Sequence, residues 1–139
     1  MNIQFFIPGE PPTVTAQQKG FSRKTGKYYK PAELRDAEQK YLAYANEVRP
    51  SAPITGPVAL TVIFGFRAGA GHEPATPKTS KPDTDNMLKA LKDALTRARF
   101  WKDDAQVFIE TTIKVWTDTP GIMVEVENDG EDVLSWTGR

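Results

Sequence analysis

The sequence predicts an α+β domain of two layers, a mixed sheet of about four strands with two helices packed on it, in the order β-α-β-α-β-β. Three observations carry that reading. Two segments repeat apolar residues at three- and four-residue steps, as helices do. Other segments alternate apolar and polar residues, as strands do. Clusters of Pro and Gly separate them.

Taken in order, residues 2–7 form a strand with Ile3, Phe5 and Ile7 on one side, ended by Pro8, Pro11 and Pro12. Residues 13–30 are polar and basic, a loop or irregular hairpin with its turn at Lys24-Thr25-Gly26-Lys27. Pro31 suits the first turn of a helix from about 31 to 49, with Leu34, Ala37, Tyr41, Tyr44 and Val48 on one face, before Pro50 and Pro53. Residues 57–66 put Val58, Leu60, Val62, Phe64 and Phe66 on one face of a strand, and 68–82 read as loop. A second helix starts near Thr84 or Asp85 and runs to about Arg99, with the stripe Met87, Leu88, Leu91, Ala94, Leu95 and Ala98.

Residues 105–116 alternate, with Val107, Ile109, Ile113 and Val115 inward. Phe108 and Trp116 fall on the other face, a candidate for helix or dimer packing. With a turn at Thr117–Gly121 and a strand at 122–127, the stretch 105–127 reads as an antiparallel hairpin. One domain covers 1–127, and 128–139 form an acidic tail.

A chain of 139 residues fits a single domain. It has no Cys, which excludes disulfides, thiolate zinc sites and a cysteine nucleophile, and its only His is His72, expected to be solvent-exposed and given no role. No 18-residue apolar run crosses a membrane, and the N-terminus lacks the pattern of a signal peptide. A soluble, cytoplasmic protein is expected. Eighteen Lys and Arg balance eighteen Asp and Glu, but unevenly: the net charge is +5 over 17–35, +4 over 67–102 and −7 over 103–139. Such a chain can hold a basic face for phosphates while neutral overall.

The chemistry concentrates in Lys81-Pro82-Asp83-Thr84-Asp85-Asn86-Met87-Leu88-Lys89. An Asp before a helix is commonly only a cap. Two of them, pointing the same way if the segment is extended, repel unless a cation lies between them. Hard oxygen donors suit Mg²⁺ or Mn²⁺. Lys89, four residues after Asp85, makes either a surface ion pair or a cation aimed at a phosphate's transition-state charge. The second piece is Phe100-Trp101-Lys102-Asp103-Asp104-Ala105-Gln106-Val107. Its acids are either solvated turn residues or part of the same site. For the latter, the following strand must run back along a helix about 22 Å long. Phe100 and Trp101 are expected to cover the end of helix 2. Tyr28 and Tyr29 either stack on nucleotides or pack beside helix 1.

KPDTDNMLKALKDAL followed by FWKDDAQV resembles the RusA family of crossover-junction endodeoxyribonucleases, the Holliday-junction resolvases. The resemblance is specific over 81–107 and extends more loosely to the proline-rich first strand and the terminal hairpin. It implies a RusA-like fold and a role in recombination and repair, in a bacterial or phage-infected cell. Asp83, Asp85 and Asp104 match the family's metal-binding carboxylates and Lys89 its catalytic lysine. Asn86 and Asp103 match supporting positions. The cofactor so implied is Mg²⁺, with Mn²⁺ as substitute, and no small-molecule cofactor. The implied partners are branched DNA, four-way junctions above all, and a second copy of the chain in a homodimer. The implied products are a 5′-phosphate and a 3′-hydroxyl.

Phosphate contacts are expected from Arg23, Lys24, Lys27 and Lys30, joined by Lys78 and Lys81 before the paired acids. The alternatives are a junction-binding module with weak catalysis or a nuclease for other branched DNA. A nucleotide-sugar protein using Asp-x-Asp would need a larger domain.

Overall fold

In the computed structural model, which describes residues 1–14 and 20–128, the sheet is organised by its most apolar strand. The elements are β1 (Asn2–Pro8), β2 (Gly20–Ser22), β3 (Lys27–Tyr29), α1 (Ala32–Val48), β4 (Val58–Arg67), β5 (Thr76–Pro77), α2 (Thr84–Arg97), β6 (Val107–Thr117) and β7 (Gly121–Glu127). A strand rich in apolar and β-branched residues on both faces loses most by lying at an edge. β4 is such a strand, and it sits at the centre of the five-stranded order β1-β7-β4-β6-β5. It runs parallel to β6 and antiparallel to β7. β2 and β3 form a separate two-stranded ribbon. The class is the expected α+β, with five strands in the main sheet where about four were expected.

The expected hairpin of 105–127 is not what forms. β6 and β7 are joined by a tight turn, yet β4 lies between them, and β7 pairs with β4 and β1 instead. The link must cross the end of β4, and Gly65 makes room for it. A Cβ on Gly65 would lie 2.8 Å from Thr117 Cγ2 and 3.3 Å from the Gly121 carbonyl.

Both helices cover one face of the sheet. Residues paired across strands share a face, so Ile7, Ile122 and Phe64 form one buried row and Val124 and Val62 belong to the next. Leu34, Tyr41 and Ala45 of α1 and the whole predicted stripe of α2 close over them. Val48, expected on the buried face of α1, is exposed at its C-terminal end. Phe100 and Trp101 are buried under the end of α2, as expected, and the Trp101 indole donates to Thr96 Oγ1 at 2.7 Å.

The inward set on β6 needs correction. The register slips at Phe108: Val107 pairs with Val58, but Ile109 pairs with Ala59. This bulge inserts one residue, and a one-residue slip exchanges the faces of everything after it. Val107 packs on the core. Ile109, Ile113 and Val115 share the open face with Ala59, Ile63 and Gly65, and Ile113 is exposed. The helix-facing row of β6 is Glu110, Thr112, Lys114 and Trp116. Phe108 and Trp116 therefore do not form a common outer patch. The acidic tail expected at 128–139 lies, from 129 on, outside the described residues.

Candidate active site

α2 packs beside β6, and a cleft of about 350 Å³ opens between them, lined by Asp85, Leu88, Lys89, Lys92, Asp93, Asp104 and Glu110. Asp85 and Lys89 come from the first turns of the helix. At i and i+4 they share a face. Asp85 lies in the first turn, where the backbone N–H groups favour an anion.

Asp104 reaches the cleft because its neighbours hold the loop rigidly. Asp103 adopts an extended conformation and caps the short 3-10 turn Asp104–Gln106, its Oδ1 accepting from the Ala105 N–H at 2.9 Å. The Gln106 amide oxygen accepts from the N–H groups of Lys102 and Asp103 at 3.0 and 3.2 Å. The Gln106 Nε2 donates to the carbonyls of Ile54 and Gly56 at 2.9 and 3.0 Å. Every polar group of Gln106 is thus used to staple the turn to the segment before β4, leaving Asp104 to line the cleft. In Asp-Asp-Ala-Gln, one acid caps and the other faces the site.

Asp83 is placed differently. It is the N-cap of α2 with φ −73° and ψ 147°, is exposed, and its side chain makes no capping hydrogen bond. It is not part of the cleft lining. The expectation that Asp83 and Asp85 point the same way held only for an extended segment, and the helix already begins at Thr84. Among the described residues, no three of His, Asp and Glu gather closely enough to hold a metal ion. Asn86 faces a small cavity between α1, α2 and β4, beside Tyr41 and Phe64, on the other side of the helix from the cleft. Burial there pushes the Tyr41 phenol well above the usual tyrosine range.

Four residues on or beside the cleft had not been singled out. Lys92 and Asp93 follow Lys89 by three and four residues, so helical spacing alone could have found them. Glu110 forms an ion pair with Lys92 across the cleft. Lys114, two rows further along β6, donates from Nζ to the carbonyls of Ser80 at 2.7 Å and Pro82 at 2.8 Å. Both face the helix only because of the bulge at Phe108.

Of the residues expected to meet phosphates, Arg23, Lys24 and Lys27 are exposed on the β2–β3 ribbon, and Lys81 is exposed before α2. Lys30 is exposed and paired with Glu38 at 3.0 Å. Lys78 is a correction: it is only 9% exposed. Its ammonium lies 5.0 Å from the Phe66 ring centroid and 4.5 Å from that of Trp116, and donates to Ser80 Oγ at 2.6 Å. Desolvation, then the nearby Lys114 charge, lowers its pKa from the ordinary lysine value, with Glu10 acting the other way. A cation held against two rings and a hydroxyl has little surface left to offer a phosphate. His72 is exposed, as expected, and also stacks on Trp116 with ring centroids 3.9 Å apart.

Two helices thus cover one face of a mixed sheet, and carboxylates and lysines line the groove between α2 and β6. The family described as Endodeoxyribonuclease RusA matches residues 8–127, and the chain belongs to that family. A crossover junction endodeoxyribonuclease of Lactococcus phage r1t is 27% identical over 128 residues, 91% of this chain and 98% of that protein. The protein YqaN of Bacillus subtilis is 30% identical over 137 residues, 89% of this chain and 94% of its own. The crossover junction endodeoxyribonuclease RusA of Escherichia coli K12 is 49% identical over 39 residues, 28% of this chain and 32% of its own. No helix among the described residues is long and apolar enough to cross a membrane.

Proposed function

We propose that this protein resolves four-way DNA junctions by Mg²⁺-dependent hydrolysis of phosphodiester bonds, acting as a homodimer in recombination and repair. The observation that carries the reading is that Asp104, from the loop beyond the far end of α2, lines one cleft with Asp85 and Lys89 from its first turns. Membership of an endodeoxyribonuclease family and the name of the phage relative support branched DNA as the substrate class. Two nicks placed symmetrically need two sites related by a two-fold axis, which a second copy supplies.

The donor set fits a hard divalent ion. Asp85 and Asp104 offer carboxylate oxygens on one cleft, with Glu110 and Asp93 beside them. Mg²⁺ commonly takes only one or two protein carboxylates and completes its shell with waters and substrate phosphate oxygens. That mode suits a cleft where no three acids converge. Asp83, two residues before Asp85, has a carboxylate uncommitted to capping. When bound, such an ion lowers the pKa of a coordinated water and polarises the phosphodiester. Lys89, exposed and one turn from Asp85 on the same cleft, would supply an ammonium to the negative charge that grows on the phosphate oxygens. Glu110 holds Lys92 across the groove, which keeps a second cation near the same charge.

The spread of the acids favours one second reading, a junction-binding module with weak catalysis. A synthetic four-way junction separates the two. The nuclease reading expects paired nicks with Mg²⁺ or Mn²⁺ and none in EDTA. Asp85→Asn and Asp104→Asn should each lower nicking by about 100-fold or more while retaining junction binding in EDTA. Junction binding by the unaltered protein without nicking in either metal would establish the second reading instead.

A further inference from the structure

We propose that Lys114 is a positioning residue for the paired acids at the start of α2, and that it acts through the backbone of the loop that delivers them. This rests on the nuclease reading for its effect on catalysis, but its effect on the loop is separately measurable.

The loop 78–83 must present Asp83 and Asp85 in one arrangement. It lies outside the regular part of the sheet, where backbone groups are usually satisfied by water and the chain is free to move. Here it is held from beneath by two lysines. Lys114 Nζ spans the carbonyls of Ser80 and Pro82, and Pro82 immediately precedes Asp83. Lys78 Nζ donates to the hydroxyl of the same Ser80. Its backbone N–H donates to the Lys114 carbonyl at 3.0 Å, which ties the start of the loop to β6. Ser80 is therefore gripped at both its side chain and its carbonyl.

The lysines are well chosen for this. An ammonium offers three donors and no acceptor, and hydrogen bonds from a charged donor are stronger than neutral ones. The carbonyls of Ser80 and Pro82 lie past the end of β5 at Pro77, beyond the reach of the sheet's own ladder. Lys114 meets both. It also brings a positive charge to the carbonyl of the residue immediately before Asp83. Lys114 touches no residue of the cleft in the hydrogen bonds described, so its influence passes through Pro82 to Asp83 and the first turn of α2.

The test compares Lys114→Met with Lys114→Arg. A methionine keeps the apolar stem and removes the donors, whereas a guanidinium retains two donors that can span two carbonyls. Three quantities are read: hydrogen–deuterium exchange of the peptide covering 78–87, Mn²⁺ binding by electron paramagnetic resonance, and the Mg²⁺ concentration giving half-maximal nicking. In Lys114→Met, exchange of 78–87 should accelerate while β4 and β7 keep their protection. Mn²⁺ affinity should fall, and the Mg²⁺ requirement rise, by about tenfold. Lys114→Arg should recover most of all three. Equal exchange and Mn²⁺ affinity in the unaltered protein and Lys114→Met would overturn the proposal. So would general loss of protection across the sheet, because that marks a merely structural role. If the unaltered protein cuts no branched DNA, the nuclease reading falls, and exchange and Mn²⁺ binding still decide the role of Lys114.

Discussion

Asp103 and Asp104 are adjacent and chemically identical, and the fold gives them unrelated work. Asp103 spends its carboxylate on the Ala105 N–H, while Asp104 lines the cleft. Their substitutions should therefore separate. Asp103→Ala removes a cap and should cost about 1 kcal/mol of stability in urea unfolding, with a partial loss of nicking as the turn loosens. Asp104→Asn keeps the side-chain volume and makes no such demand on the turn, so its unfolding free energy should stay within about 0.5 kcal/mol, with nicking lost. Equal stability losses in both would mean that Asp104 too is a structural acid. The sequence makes the pair of acids visible, and the resemblance selects Asp104. What sequence spacing could not show is the reason: Gln106 reaches carbonyls some fifty positions earlier, at Ile54 and Gly56. Lys78 gives the reverse lesson. In the sequence it is one more cation in a polar loop, and only the rings of Phe66 and Trp116 reveal that it is enclosed.

At the scale of elements, periodicity located both helices and the four long strands to within a few residues, because apolar spacing reports directly on a buried face. It did not locate the partners. Whether β7 pairs with β6 or with β4 depends on which strand gains most from the centre, a comparison among strands rather than within one. Nor could alternation survive the bulge at Phe108, which sends Ile109, Ile113 and Val115 to the open face and turns Glu110 and Lys114 toward α2. Polar residues on a helix-facing row look like an error of patterning until the cleft explains them. The same topology makes Gly121 a tight point. A Cβ there would meet the Phe6 ring and lie 2.8 Å from the Ile7 carbonyl. A ring can swing aside, but a strand carbonyl cannot. Gly121→Ala should destabilise by about 1–3 kcal/mol, as overpacking does. Gly69→Ala, where a Cβ meets only open space, should change stability by less than about 0.5 kcal/mol. Urea melts of the two variants check this, and equal midpoints would show that β1 and β7 are not so closely apposed.

At the scale of the whole molecule, a net charge of zero conceals a division of labour. Cations needed for DNA must be both exposed and uncommitted, and the structure sorts them. Lys78 is enclosed, Lys114 is spent on two carbonyls, Lys92 is paired with Glu110, and Lys30 is paired with Glu38. Arg23, Lys24 and Lys27 remain exposed at the turn of the β2–β3 ribbon, a two-stranded unit separate from the main sheet. A short ribbon carrying cations at its tip can follow a phosphate backbone without reading bases, which suits recognition of DNA by shape. Each phosphate contact contributes about 0.9 to the slope of log affinity against log salt for duplex arms. Reversing Arg23, Lys24 and Lys27 to Glu should therefore flatten the slope for a four-way junction by about 2–3, measured in EDTA so that binding is separated from cutting. Lys30→Ala should flatten it by less than 1, because its charge is already shared with Glu38. An unchanged slope in the triple variant, with its fold intact by circular dichroism, would move the DNA-binding surface away from the ribbon and toward the exposed cations of α2 and the loop before it.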